Sequence, residues 1–187
     1  MAMSSRLVQR KKSSMHGDES FEMRTGTALN MARFWLVKSE PHVYPFSQLK
    51  EDGQTHWDGV RNYQARNFMR DEMKVDDLVL FYHSNTKPPH IAGLARVCKE
   101  GYPDYTSWDI DSKYFDAKSD PDSPRWFMVD IEPIADFEPN LDLPTLKEMP
   151  ALEGMPLLAR GQRLSVQPVA AEHFSIICNA GGLGGHL

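Results

Sequence analysis

Apolar residues fall along the chain in short clusters whose spacing alternates between the period of a strand and that of a helix. In the segment 32–38, Phe34-Trp35-Leu36-Val37 has the aromatic and β-branched content of a buried strand. Pro45-Phe46-Ser47-Gln48-Leu49-Lys50 carries proline near its start and Asp52-Gly53 behind it, which predicts one or two helical turns. Asn62 is a capping residue type, and after it Tyr63 with Asn67, and Ala65 with Phe68 and Met69, recur at i, i+3, i+4. This spacing predicts an amphipathic helix over 63–70. Leu78–His83 and Ile91–Val97 predict a hairpin across a loop that holds Asn85, Pro88 and Pro89, and Trp126–Glu132 alternates as a further strand. Pro144 opens a short helix over 143–149, a second covers 155–159, Val166–Val169 is a brief strand, and Ala171–Cys178 is a terminal helix stopped by Asn179-Ala180-Gly181-Gly182. Short strands interleaved with short helices predict an α/β (α+β) fold, a small curved β-barrel with helices packed outside. Phe34, Trp35, Phe81 and Trp126 lie on predicted strands and are assigned to its core.

Segments without a period set the domain limits. Residues 1–31 are rich in Ser, Lys, Arg and Met and are read as a disordered tail, with Met31 a candidate translation start; 181–187 is read as a flexible glycine-rich end. One domain over 32–180 suits a chain of 187 residues. The loop 100–124 is polar but holds Tyr102, Tyr105, Trp108, Tyr114 and Phe115, which favours a functional role over disorder.

Charge narrows the choice of partner. The first 33 residues carry six Lys/Arg against three acids, and the rest carries 15 against 23, so the body is acidic. Affinity for nucleic acid rests largely on phosphate neutralisation, so a general clamp is disfavoured and a local site is expected. No apolar run reaches the eighteen or so residues of a membrane helix, so no membrane partner is expected. Cys98 and Cys178 are isolated among apolar neighbours and are read as buried free thiols, consistent with a cytoplasmic location, or a nuclear one in a eukaryote. A monomer is expected.

No catalytic pattern stands out. The seven histidines show no i, i+4 pair and no cysteine partner, so neither a metal nor a cofactor is expected. What remains is Lys38-Ser39-Glu40, Trp57-Asp58-Gly59-Val60-Arg61-Asn62-Tyr63, Tyr82-His83-Ser84-Asn85, and Trp108 with Tyr114. A flipped nucleobase is a flat disc with an edge of donors and acceptors, so its pocket needs aromatic faces and amide, hydroxyl or carboxyl groups. On that reading Lys38, Ser39, Glu40, Trp57, Asp58, Asn62, Tyr63, Tyr82, Ser84, Asn85, Trp108 and Tyr114 are the base-binding candidates, and Arg61 and Arg66 the phosphate contacts. The alternative is a nucleotide-modifying enzyme, or a protein tied to RNA or tRNA modification, with Glu40 or Asp58 as base.

The run Phe34-Trp35-Leu36-Val37-Lys38-Ser39-Glu40-Pro41, followed by Trp57–Asn67, Phe81-Tyr82-His83-Ser84, Pro124-Arg125-Trp126 and Arg160–Val169, resembles the EVE domain. The resemblance covers nearly everything after Met31. It implies a PUA-like fold and a non-enzymatic role: binding of modified bases in DNA, such as 5-methylcytosine or its oxidised forms, or in RNA. Through the related YTH domains it likens Trp57, Trp108 and Tyr114 to an aromatic cage, with Lys38-Ser39 at the same strand end.

Overall fold

A computed structural model describes residues 33–184. One mixed sheet holds six strands, β1 (Phe34–Ser39), β2 (Thr55–His56), β3 (Leu78–His83), β4 (His90–Pro103), β5 (Phe127–Asp142) and β6 (Val166–Val169). Around it lie α1 (Phe46–Asp52), α2 (Tyr63–Asn67), α3 (Leu143–Lys147) and α4 (Ala171–Ala180). The strand order is β2-β5-β4-β3-β1-β6. Only β1 and β3 are parallel neighbours. A parallel pair needs a crossover connection, and here it contains α1, β2 and α2, the stretch that carries most of the candidate site residues.

The mixed architecture with short helices agrees with the sequence reading. Its sheet is open, with β2 and β6 as edges, yet curved. The β4–β5 register shifts in four places, and such bulges bend a ladder. As a result Thr55 and His56 of β2 and Ser165, just before β6, face one cavity from the two ends of the sheet.

Side-chain alternation divides the core. Trp35 and Val37 of β1 and Val79 and Phe81 of β3 point to one face, where Phe46 and Leu49 of α1 and Val129 and Ile131 of β5 complete a buried cluster. Leu36, Leu80 and Tyr82 point to the other, against Phe137, Leu141 and the α4 residues Phe174, Ile177 and Cys178. Because both faces are covered, β3 is buried along its whole length and reads as an unbroken apolar run. Trp35, Phe81 and Trp126 are buried as assigned, and Phe34 stacks on Phe174 with ring centroids 4.3 Å apart.

Several boundaries differ from the sequence reading. β4 and β5 run on to Pro103 and Asp142, well past the predicted 97 and 132, because each bulge resets the alternation that marks a strand. Trp126 lies just before β5. The predicted helix over 63–70 ends at Asn67 and widens into a π turn over Phe68–Glu72, closed by Met73 N–H donating to the Phe68 carbonyl at 2.8 Å. The predicted 155–159 helix is a single 3-10 turn, Pro156–Leu158. Cys98 is only half-buried. Within the end expected to be flexible, residues 181–184 make contacts with the fold: Leu183 reaches the second core, its N–H donates to the Cys178 carbonyl at 2.8 Å, and the Gly181 carbonyl accepts from Glu138 N–H at 3.0 Å. The basic tail expected over 1–31 and the last three residues lie outside the described range. No described helix is long and apolar enough to cross a membrane.

Candidate functional site

On the concave side, where β1 ends and the crossover segment returns past β2, lies a cavity of about 710 Å³. Its size falls within the range of about 300–1,000 Å³ typical of small-molecule sites. One wall is the end of β1, with Lys38, Ser39 and Glu40, continued by Tyr44; the opposite wall is Thr55 through Arg61; Lys113, Tyr114 and Ser165 close the sides.

Trp57 N–H donates to the Val129 carbonyl at 2.7 Å, which extends the β2–β5 pairing by one residue and fixes the indole at the cavity floor. The indole is 9% exposed and packs edge-on against Phe81, with ring centroids 5.4 Å apart at 83°. It is therefore both core and lining. The chain then turns through Asp58 and Gly59. Gly59 has φ +71°, and a Cβ there would stand 2.5 Å from the Tyr114 ring. Glycine thus serves two needs at this position, the left-handed backbone and the close approach of an aromatic wall.

Arg61 holds that wall in place. Its Nε and one Nη donate to the Tyr114 carbonyl at 2.9 and 2.6 Å, and the other Nη donates to Asp104 Oδ2 at 2.6 Å. Asp104 is fully buried and also accepts from Gly59 N–H at 3.1 Å and from Thr106 N–H at 3.0 Å. A buried carboxylate surrounded by donors is the arrangement that makes such a pair tolerable. Arg61 was a phosphate-contact candidate; its guanidinium is instead committed to the wall of the cavity.

Asp58 points into this space. Burial, and then the negative charge of Asp104 behind it, push its carboxyl above the usual carboxylate range. Across the cavity Lys38 donates from Nζ to the Gln162 carbonyl at 3.1 Å, and burial lowers its ammonium below the usual lysine range. Ser39 Oγ donates to the Tyr44 carbonyl at 2.6 Å, fixing the backbone there, and the Tyr44 hydroxyl donates to Asp52 Oδ2 at 2.7 Å, which orients the ring. Glu40 at the rim accepts from Asn85 Nδ2 at 3.3 Å and lies 3.2 Å from His42.

Of the base-binding candidates, then, Lys38, Ser39, Glu40, Trp57, Asp58 and Tyr114 line one cavity. The others do not. Asn62 is the cap of α2, its side-chain oxygen accepting from Gln64 and Ala65 N–H. Tyr63 stacks outside on Trp126, ring centroids 5.0 Å apart. Tyr82 is buried in the opposite core. Ser84 donates to the Ser39 carbonyl at 3.2 Å and Asn85 braces Glu40, so both support the rim from behind. Trp108 follows a 3-10 turn away from the lining. Arg66 donates to the Arg125 carbonyl at 2.8 Å on the outer surface. Lining residues that sequence reasoning missed include Tyr44, Thr55, His56 and Ser165. Only Thr55-His56, adjoining Trp57, left a signal. Tyr44 and Ser165 are brought in by long-range strand pairing that no local pattern shows. Among the described residues no group of three or more His, Cys, Asp or Glu is placed to hold a metal ion.

Comparison with known proteins adds three findings. Residues 33–180 match the EVE domain. Human thymocyte nuclear protein 1 is 39% identical over 168 residues, 79% of this chain and 73% of the relative, and the zebrafish (Danio rerio) protein of that name is 43% identical over 76% of this chain and 69% of its own length. Among solved structures, a Pseudomonas syringae protein superposes with a TM-score of 0.75 at 45% identity, covering 78% of this chain and 97% of that one. Human THYN1, solved in complex with 5-methylcytosine containing DNA, superposes with a TM-score of 0.74 at 39% identity, covering 79% and 96%.

Proposed function

The chain belongs to the EVE domain family, and from that premise we propose that it is a non-enzymatic reader that takes a modified base, of the 5-methylcytosine type, out of a nucleic-acid strand and into the concave cavity. The observation that carries this reading is the cavity itself: three aromatic residues, Trp57, Tyr44 and Tyr114, wall a space into which Asp58 projects. A relative of the same fold solved with 5-methylcytosine containing DNA supports it.

The chemistry follows from the lining. Aromatic walls supply stacking, worth roughly 1–3 kcal/mol per base, against an extrusion cost of a few kcal/mol. A modification that adds apolar contact inside the cavity tips that balance. Asp58 is the group suited to an exocyclic amine, since a carboxylate accepts from cytosine N4.

Fluorescence anisotropy tests this, with matched oligonucleotides carrying one cytosine, 5-methylcytosine or 5-hydroxymethylcytosine. The modified strand binds more tightly, and Tyr114→Ala, a variant that spares the Trp57–Phe81 core contact, weakens it by roughly 5- to 150-fold, the equivalent of one lost stack. Equal affinity for all three strands, or conversion of the base seen by mass spectrometry, overturns the reading.

A further inference from the structure

Outside the cavity a second feature runs from its wall to open solvent. The Arg61 guanidinium lies 5.6 Å from the Tyr114 ring centre on one side and 5.4 Å from that of Trp126 on the other. Trp126 stacks on Tyr63 at 5.0 Å, and the Arg66 guanidinium sits 4.9 Å over Tyr63. Each member is fixed by a directed bond. Trp126 Nε1 donates to Asp116 at 2.7 Å, Arg125 Nη donates to the Tyr63 hydroxyl at 2.9 Å, and Arg66 donates to the Arg125 carbonyl at 2.8 Å. The outcome is a ladder of arginine and aromatic groups, Tyr114, Arg61, Trp126 and Tyr63 with Arg66 packed against the last two, that begins at the cavity and ends on α2.

Its outer end is unusual in two ways. Tyr63 is 52% exposed although its ring packs on Trp126 and on the Arg66 guanidinium, which also lies 6.0 Å from the Trp126 ring centre, so burial does not account for its placement. The charges there are also uneven. Arg70 is taken up by Asp71 at 2.7 Å and Arg125 has Asp116 at 3.8 Å, but Arg66 has no carboxylate within 4.0 Å among the described residues. Arg66 also bears the repulsion of Arg70 and Arg125, which adds to burial in lowering its hold on a proton. On a body with 15 basic against 23 acidic residues after position 33, three arginines grouped at one edge form a local positive patch.

We propose that this ladder is a backbone rail: Arg66, backed by Arg125 and Tyr63, binds a phosphodiester of the nucleic-acid strand next to the nucleotide whose base enters the cavity. An arginine fork matches phosphate oxygens in geometry and charge. Its guanidinium is already held, with Nε donating to Asn67 Oδ1 at 2.9 Å and one Nη to the Arg125 carbonyl at 2.8 Å, so it loses little freedom on binding. The rail rests on the proposed reading of the cavity for its choice of partner, but its own signature differs. A phosphate contact contributes to every strand alike and depends on salt, whereas the cavity discriminates between bases.

The test compares wild type with Arg66→Gln, Arg125→Gln and the charge-retaining Arg66→Lys, using single strands with and without 5-methylcytosine at several salt concentrations. Melting curves confirm that each variant is folded. Arg66→Gln weakens both strands by the same factor, leaves their ratio unchanged and reduces the magnitude of the log–log salt slope by about 0.7, one phosphate of a single strand; Arg66→Lys keeps the slope. An Arg66→Gln protein with wild-type affinity and slope overturns the rail while leaving the cavity reading intact. Conversely, a wild type that does not discriminate the methylated strand, combined with a salt slope that falls in Arg66→Gln, removes the base reader and keeps the rail.

Discussion

Asp77 shows how much one side chain can hold. It is 3% exposed, and its carboxylate accepts from Arg33 N–H at 2.8 Å, from Trp35 Nε1 at 2.8 Å and from Lys74 N–H at 2.9 Å. These bonds tie the start of β1, the ring at the centre of the first core and the turn before β3. In Asp77→Ala the indole N–H is stranded where it has no water, at a cost of about 3 kcal/mol when the other two lost bonds are included. Urea unfolding should show the midpoint falling with an unchanged slope; a loss below about 0.5 kcal/mol would show that water replaces the carboxylate. At this same scale the sequence was least informative about the site. Tyr82 and Ser39 lie in neighbouring strands near the same end, yet alternation puts Ser39 on the face of Trp35 and Val37 and Tyr82 on the face of Leu80. Proximity in the sequence pattern did not convey that difference of face. Likewise Arg61 and Arg66, five residues apart, look alike as cations; one is consumed by Asp104, a partner 43 residues away, and the other is not.

Elements were more legible than residues because their signals are local. Asn62 caps α2 as its type and position predicted, and the strands at 34–39 and 78–83 have the expected composition. The elements that escaped detection are those whose form depends on a distant partner: the bulged lengths of β4 and β5, and the π turn that follows α2. A further coupling between elements lies in a histidine relay. Phe46 N–H, at the start of α1, donates to His83 Nε2 at 3.1 Å, so the proton of a neutral His83 resides on Nδ1. That nitrogen faces His90 Nε2 at 3.2 Å, and His90 Nδ1 faces the Pro88 carbonyl at 3.0 Å. Protonating His83 would abolish its acceptor for α1. Burial, and then the charge of His90, hold it down at about 4 against an ordinary 6.5. The folded state therefore binds this proton more weakly than the unfolded chain does. Its stabilisation is complete above pH 6.5 and is lost as pH falls toward 4, by up to about 3 kcal/mol. Asp58, raised, works in the opposite direction in acid. The difference between wild type and His83→Gln cancels that contribution, so unfolding free energies of the pair should converge between pH 7 and 4.5; a constant gap would show that folding does not lower the pKa of His83.

For the whole molecule the governing quantity is charge. The body that carries the cavity is acidic, and its arginines near the site are mostly taken up: Arg61 by Asp104, Arg70 by Asp71, and Arg125 in part by Asp116. Few counterions can then be displaced when a strand binds. With one or two phosphates neutralised, the log–log slope of affinity against salt is about −0.7 to −1.4 for a single strand. Raising salt from about 50 to 200 mM should therefore cost only about three- to sevenfold in affinity, where a protein making six to ten phosphate contacts loses roughly 10³–10⁵-fold. The same titration on strands with and without 5-methylcytosine should give parallel lines, because the cavity contributes an offset independent of salt and the rail contributes the shared slope. A slope several times steeper would mean that backbone charge dominates and that the acidic body is outweighed by cations elsewhere in the chain. Parallel shallow lines would mean that affinity in this fold is concentrated in the base, and that Trp57, Tyr44 and Tyr114 determine which strands are held.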